Sequence, residues 1–130
     1  RMSRILRGQY QLTLKDSMTY RAFDDVVGVG GSWTTVLYEG RRVAPKDRPA
    51  WQIPYRSLVP RKTKNLLVAG RCFCFEKALV EDTRVIGPCL VTGHAAGAAA
   101  AVAVQRNTST QGVDVGMVQQ LLRHQQANLG

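Results

Sequence analysis

The chain has 130 residues, with 18 Lys or Arg against 9 Asp or Glu and a formal net charge of +9. Its 45% hydrophobic and 21% charged residues exclude intrinsic disorder, collagen and long coiled coils, and the length suits one domain-sized core. The excess of base favours an anionic partner: a phosphate, a nucleotide, a nucleic acid or an acidic subunit.

The opening Arg1-Met2-Ser3-Arg4 lacks the layout of a signal peptide, and with an initial Arg the chain is expected to begin inside a longer product. Tyr10 to Leu14 alternates at period two and Trp33 to Tyr38 is rich in strand formers. Residues 1–50 are therefore expected as strands and turns with a short helix, punctuated by Gly28, Gly30 and Gly31, which read as a turn. Arg41 to Pro49 is polar and broken by proline, the pattern of an exposed loop, and it marks a boundary between residues 1–50 and 51–130. Trp51 to Pro60 is extended, with prolines at edge or end positions, and Arg61 to Lys64 turns the chain. Asn65-Leu66-Leu67-Val68-Ala69-Gly70 is apolar without alternation, the pattern of a central strand covered on both faces. Pro88 suits the first turn of a helix running to about Arg106. After a loop at Asn107 to Gly112, Asp114 caps a last helix with Val118, Leu121 and Leu122 on one face.

Several features bear on chemistry. Val85 to Gln105 is uncharged and long enough to cross a bilayer, and Gly93 and Gly97 form a G-x-x-x-G pair. Its Ala and Gly content, Pro88, His94 and lack of aromatic belts argue against a membrane span. Gly93, Ala96, Gly97 and Ala100 make a flat stripe, suited either to tight helix packing or to close approach by a planar ligand or another backbone. The N-terminus of this helix offers unpaired N–H groups and positive charge to an electron-rich oxygen. Cys72, Cys74 and Cys89 fit neither a disulfide framework nor a zinc knuckle, so a reducing cytoplasm is the expected compartment and no metal is expected. The thiols read as buried, with a redox role beside Arg71 as the alternative, and His94 reads as a packed, hydrogen-bonded residue. The basic block Arg41, Arg42, Lys46, Arg48, Arg56, Arg61, Lys62 and Lys64 has the charge of a nucleic-acid footprint but no recognised module around it. A solvated face or a surface for an acidic chain explains it better, and neither nucleic acid nor membrane is expected as a partner.

The blocks Ile53 to Pro60, Asn65 to Arg71, Thr83-Arg84-Val85 and Gly93 to Ala100 together resemble the C-terminal part of FAD-dependent oxidoreductases of the glutathione-reductase-like superfamily. Arg1, Ser3, Arg4, Gly8, Tyr10, Leu12 and Asp16, and Val113 to Leu122, extend the resemblance over nearly the whole chain, most weakly from Asp24 to Pro49. It implies an α/β class, as an α+β fragment: a strand and helix completing the FAD sheet in residues 51–130, and a β-rich part of the substrate or cap domain in residues 1–50. FAD is the implied cofactor and a small molecule the substrate. Gly70 and Arg71 would meet the pyrophosphate or ribityl region, and Arg84, Val85, Ile86 and Gly87 would pass the isoalloxazine ring. A positive helix end there would stabilise negative charge on the flavin.

The G-x-G-x-x-G fingerprint that grips the adenosine half of FAD is missing, since Gly28-Val29-Gly30-Gly31-Ser32-Trp33 lacks the final glycine. The resemblance therefore implies a partner chain carrying the N-terminal dinucleotide-binding half, with this chain a subunit or cleaved fragment inactive alone. Glu76, Lys77, Glu81 and Asp82 stand where relatives carry a histidine and Gly-Ser, and Trp33, Thr34 and Thr35 where they carry Asp-x-His, so no general base is named. Arg84 either stabilises an anionic flavin or a substrate carboxylate, or only pairs with Glu81 or Asp82. The alternative to a flavoenzyme is a basic, non-catalytic binding or assembly module.

Overall fold

Thr13 and Asp16 set the first helix. The Thr13 hydroxyl accepts the Asp16 N–H at 3.1 Å while the Asp16 carboxylate accepts the Thr13 N–H at 2.9 Å. This reciprocal capping box starts α1 (Leu14–Met18) and cuts off the strand expected over Tyr10 to Leu14. Two isolated bridges remain, Gly8 to Pro60 and Leu12 to Phe75. The computed structural model describes residues 4–130.

β1 (Val26–Gly30) contains the two glycines expected in a turn, and the reason is packing. A Cβ on Gly28 would lie 2.1 Å from Val91 Cγ1, and one on Gly30 would lie 2.3 Å from Cη2 of Trp51. Glycine is required here because a helix and an indole press directly on the strand backbone. β2 (Val36–Tyr38) and β3 (Arg41–Val43) form a hairpin around Glu39-Gly40, so strand structure covers only the end of the run expected from Trp33. β4 (Trp51–Pro54) pairs antiparallel with β1, Gly30 opposite Trp51. The segment Arg41 to Pro49, expected as an exposed loop, thus begins as a strand and ends in a buried Arg48.

Short α2 (Val80–Thr83) leads into α3 (Ile86–Gln105), whose limits match the helix expected around Pro88. α4 (Val115–His124) is capped by Asp114, whose carboxylate accepts the Gly116 N–H at 2.8 Å. Val118 and Leu122 on α4 are fully buried, and the helix packs on α3. Leu12, Trp51, Ile53, Leu58, Phe73, Phe75 and Leu79 fill one core shared by residues before and after position 50.

Asn65 to Ala69 departs most from expectation. It runs extended but joins no sheet among the described residues. Of its backbone groups, the Val68 N–H reaches Leu58 C=O at 2.9 Å and Leu66 C=O accepts from Thr110 Oγ1 at 3.3 Å. A ladder needs strands alongside, and no described strand pairs with it. The architecture is α+β, with two two-stranded antiparallel sheets among the described residues.

Candidate functional site

The extended segment ends at Gly70, whose φ of +68° lies in the left-handed region that glycine adopts without strain. The chain turns there, and the Gly70 N–H donates to Thr92 Oγ1 at 2.9 Å. Thr92 itself donates to Pro88 C=O at 2.7 Å. These two bonds clamp Gly70 and Arg71 against the first turns of α3, and a Cβ on Gly70 would stand 4.0 Å from Cys89 Sγ. Arg71 is exposed and makes no ion pair among the described residues.

The start of α3 is bare. Val85 occupies the N-cap with no side-chain hydrogen bond, the first helical bond runs from Cys89 N–H to Val85 C=O at 3.3 Å, and Pro88 has no N–H to satisfy. That leaves the N–H groups of Ile86 and Gly87 without a partner in the helix. Gly87 is exposed, and a Cβ on it would meet nothing within 4 Å. The structure thus brings five of the six expected site residues, Gly70, Arg71, Val85, Ile86 and Gly87, to one end of α3. An electropositive helix end with exposed glycine backbone can receive an anionic or electron-rich oxygen.

Arg84, the sixth, is engaged with Glu81: its guanidinium Nε donates to Glu81 Oε2 at 2.9 Å and Nη2 reaches the same oxygen. Hydrogen bonding to Arg84 lowers the Glu81 pKa, and the same bond raises that of Arg84. Asp82, the other expected partner, turns inward to Arg48 at 2.6 Å, with both side chains fully buried. Asp82 Oδ1 also accepts the N–H groups of Trp33 at 2.8 Å and Thr34 at 3.1 Å, and the Thr34 hydroxyl at 3.2 Å. Arg48 donates to Thr34 C=O at 3.0 Å. Sequence reasoning placed Arg48 in an exposed loop and Asp82 beside Arg84. Neither residue lies in a periodic pattern that would signal burial, and their separation hides the pair.

α3 has two unlike faces. Pro88, Thr92, Ala95, Ala99 and Val102 are buried, whereas Ile86 (78% exposed), Leu90 (68%) and Val104 (82%) point away from the core. Gly93 and Gly97 lie on the exposed side, and added Cβ atoms would touch nothing within 4 Å. The stripe of small residues is therefore not used for packing within the described chain. By length and composition α3 is also apolar enough to cross a membrane. Beside its first half lies an open cleft of about 530 Å³ with Val27, Val29, Gly30, Gly31, Leu90 and His94 on its walls. His94 is hydrogen-bonded to Gln125 at 2.5 Å.

The basic block is divided. Arg48 is buried, Arg56 makes a two-pronged pair with Asp25 at 2.9 and 3.0 Å, and Arg61 donates to Gly8 C=O at 2.8 Å. Among the described residues all three cysteines are free and no cluster of His, Cys, Asp or Glu forms a metal site.

A family model described as FAD dependent oxidoreductase matches residues 1–122. The chain belongs to the FAD-dependent oxidoreductase family. Neither the curated proteins nor the solved structures contain a match. FAD is the cofactor of this family, and the residues present fit it. The open N–H groups of Ile86 and Gly87 and the exposed guanidinium of Arg71 are donors and positive charge of the kind that electron-rich ring atoms and phosphate oxygens take. Family membership points to oxidoreductase activity.

Proposed function

We propose that this chain completes the isoalloxazine and pyrophosphate side of the FAD site in a flavoprotein of the glutathione-reductase-like superfamily. The carrying observation is the junction of left-handed Gly70, exposed Arg71 and the uncapped start of α3. FAD supplies the electron-transfer chemistry, which the protein tunes. Arg71 offers its charge to the phosphates, the Ile86 and Gly87 N–H groups offer donors to the ring edge, and Val85 and Ile86 give apolar contact. Arg84, held by Glu81, presents its remaining donors to a carboxylate-bearing substrate or to negative charge on the flavin.

The dinucleotide-binding half comes from a partner chain or from another part of a longer product. Two observations support a large partner surface: the backbone of Asn65 to Ala69 lacks ladder partners, and α3 carries apolar side chains away from the core. A helix apolar all round is one that expects burial on every side, so α3 serves as a core helix of that assembly and not as a membrane span. Residues 51–130 form the FAD side and residues 1–50 the substrate side, joined through the β1–β4 pairing. The substrate is a small molecule. Three free thiols suit the cytoplasm.

Absorbance at the flavin bands and native mass of the assembly, isolated with all its chains, test this reading. Bound FAD with a second polypeptide supports it, and a colourless assembly refutes it. A basic binding module without redox chemistry gains nothing from the structure, because Arg48, Arg56 and Arg61 are spent on contacts inside the chain.

A further inference from the structure

The buried Arg48–Asp82 pair is poorly explained by stability. Taking both charges out of water is expensive, and apolar replacement of such pairs is often neutral or stabilising. This pair is also incompletely satisfied, since Arg48 Nε is buried without a hydrogen-bond partner among the described residues. Its place in the chain explains it better. Asp82 lies in α2, and its carboxylate ties that short helix to residues 1–50. Oδ1 accepts the N–H groups of Trp33 and Thr34 and the Thr34 hydroxyl, Oδ2 meets Arg48 Nη1 at 2.6 Å, and Arg48 donates in turn to Thr34 C=O.

Directly after Asp82 comes the segment read above as facing the isoalloxazine ring. Thr83 before it and Pro88 after it are buried, whereas Arg84, Ile86 and Gly87 are exposed and Val85 is half-buried. Among the described residues, no hydrogen bond joins Arg84, Val85, Ile86 or Gly87 to a residue outside α2 and α3. The segment is therefore held through the anchors on either side of it. Thr92 sets α3 against the turn at Gly70, with the Gly70 N–H at 2.9 Å, and Asp82, two residues before Arg84, sets α2 against the loop at Trp33-Thr34.

We propose that Asp82, locked by Arg48, is a positioning residue that fixes the segment Arg84 to Gly87, and with it the start of α3, at the distance from the flavin that sets its reduction potential. The proposal rests on the flavin reading above, because without FAD at the start of α3 the tether has no potential to set. Asp82 acts through the backbone of α2 and touches neither flavin nor substrate. The positive end of a helix stabilises negative charge on the reduced ring, and its field falls off within the first turn. A segment released from its tether and free to move away from the ring stabilises that charge less, even where the cofactor stays bound.

The readout is the midpoint potential of the bound flavin, measured by equilibration with reference dyes in the isolated flavin-containing assembly, with flavin content and melting temperature as controls. The double variant Arg48→Met/Asp82→Leu removes both charges together, so neither is left buried alone, and takes away the acceptor for Trp33 and Thr34. It should keep its flavin but hold the reduced form about tenfold less tightly relative to the oxidised one, a potential lower by roughly 30 mV for a two-electron couple. The double variant Arg48→Met/Asp82→Asn removes the same charges but keeps an oxygen for the three donors, so its potential should stay near that of the parent. A pair that served stability alone would move melting temperatures and leave every potential where it was. A flavin-loaded Arg48→Met/Asp82→Leu assembly at the parent potential therefore overturns the positioning role. Equal shifts in the two double variants overturn the tether, because charge and not the loop contact would then be responsible. Should Arg48→Met/Asp82→Leu fail to assemble, Thr34→Val decides, since it deletes only the hydroxyl donor at 3.2 Å: a shift in the same direction supports the tether and the parent potential overturns it. An assembly without flavin overturns the functional reading itself, and the proposal falls with it.

Discussion

Gly93→Leu separates the fold of this chain from its place in a larger protein, because the two should respond with opposite signs. Gly93 lies within α3 on the exposed side, and an added Cβ meets no heavy atom within 4 Å. Inside the chain the substitution costs no packing and removes a helix-weakening residue, a gain of about 0.8 kcal/mol on propensity alone. If the outer face of α3 is covered in the assembly, the same side chain enters space closed by another backbone or a ring. Overpacking of that kind costs about 1–3 kcal/mol, or roughly 5- to 150-fold in the dissociation constant of whatever covers it. Flavin content per folded complex and the partner dissociation constant are the quantities to measure, with helix content by circular dichroism as the control. Unchanged flavin content and unchanged partner affinity would refute the argument that this face is covered. A loss of helix content would refute the claim that the space is open within the chain.

Four further outcomes follow from the geometry. Gly28→Ala, with its Cβ 2.1 Å from Val91 Cγ1, should destabilise by about 1–3 kcal/mol; Val91→Ala should relieve much of this in a double-mutant cycle, whereas additivity within about 0.5 kcal/mol would show that the contact is not limiting. Glu81→Gln frees Arg84 from an exposed ion pair, so the melting temperature should hold within error while flavin reduction or substrate binding changes; no change in either leaves Arg84 shaping the loop only. Burial pushes the Tyr55 phenol from 10.0 up to about 12, so the stability it contributes is complete below about pH 10 and is lost as pH rises from there to about 12, and denaturant melts of Tyr55→Phe should lose this alkaline decline. Burial raises the Asp16 pKa, but hydrogen bonds from Thr13, Tyr10 and Arg21 outweigh it and lower it; the resulting stability is present above the unfolded value near 4 and falls away on further acidification, a decline that Asp16→Asn should abolish.

Local rules made α3 and the Asp114 cap legible in the sequence, because a small-residue run after Pro88 and an Asp before an amphipathic turn act through near neighbours. The Thr13-x-x-Asp16 box is equally local, and attention to it would have replaced the strand read over Tyr10 to Leu14 with a helix start. Gly28 and Gly30 were not legible in this way. A glycine in a turn and a glycine under a tryptophan ring look alike until Trp51 and Val91 are placed against them. The junction of Gly70 with the start of α3 came from a resemblance; its geometry depends on Thr92, whose hydroxyl no spacing rule pairs with Gly70.

Asn65 to Ala69 and the outer face of α3 share one physical cause. The pattern of Asn65 to Ala69 asks for cover on both faces, and a helix without a polar face such as α3 likewise needs cover twice. In the structure each is covered once: the strand-like segment by Leu58 and Thr110, the helix by β1 and α4. Hydrophobic pattern records the burial for which a sequence was selected, and coordinates record the burial one chain achieves. Where pattern demands more cover than the chain supplies, the difference marks an interface. Here it falls on the two elements that flank Gly70 and Gly87, the residues at which the proposed partner surface and the proposed flavin site would meet.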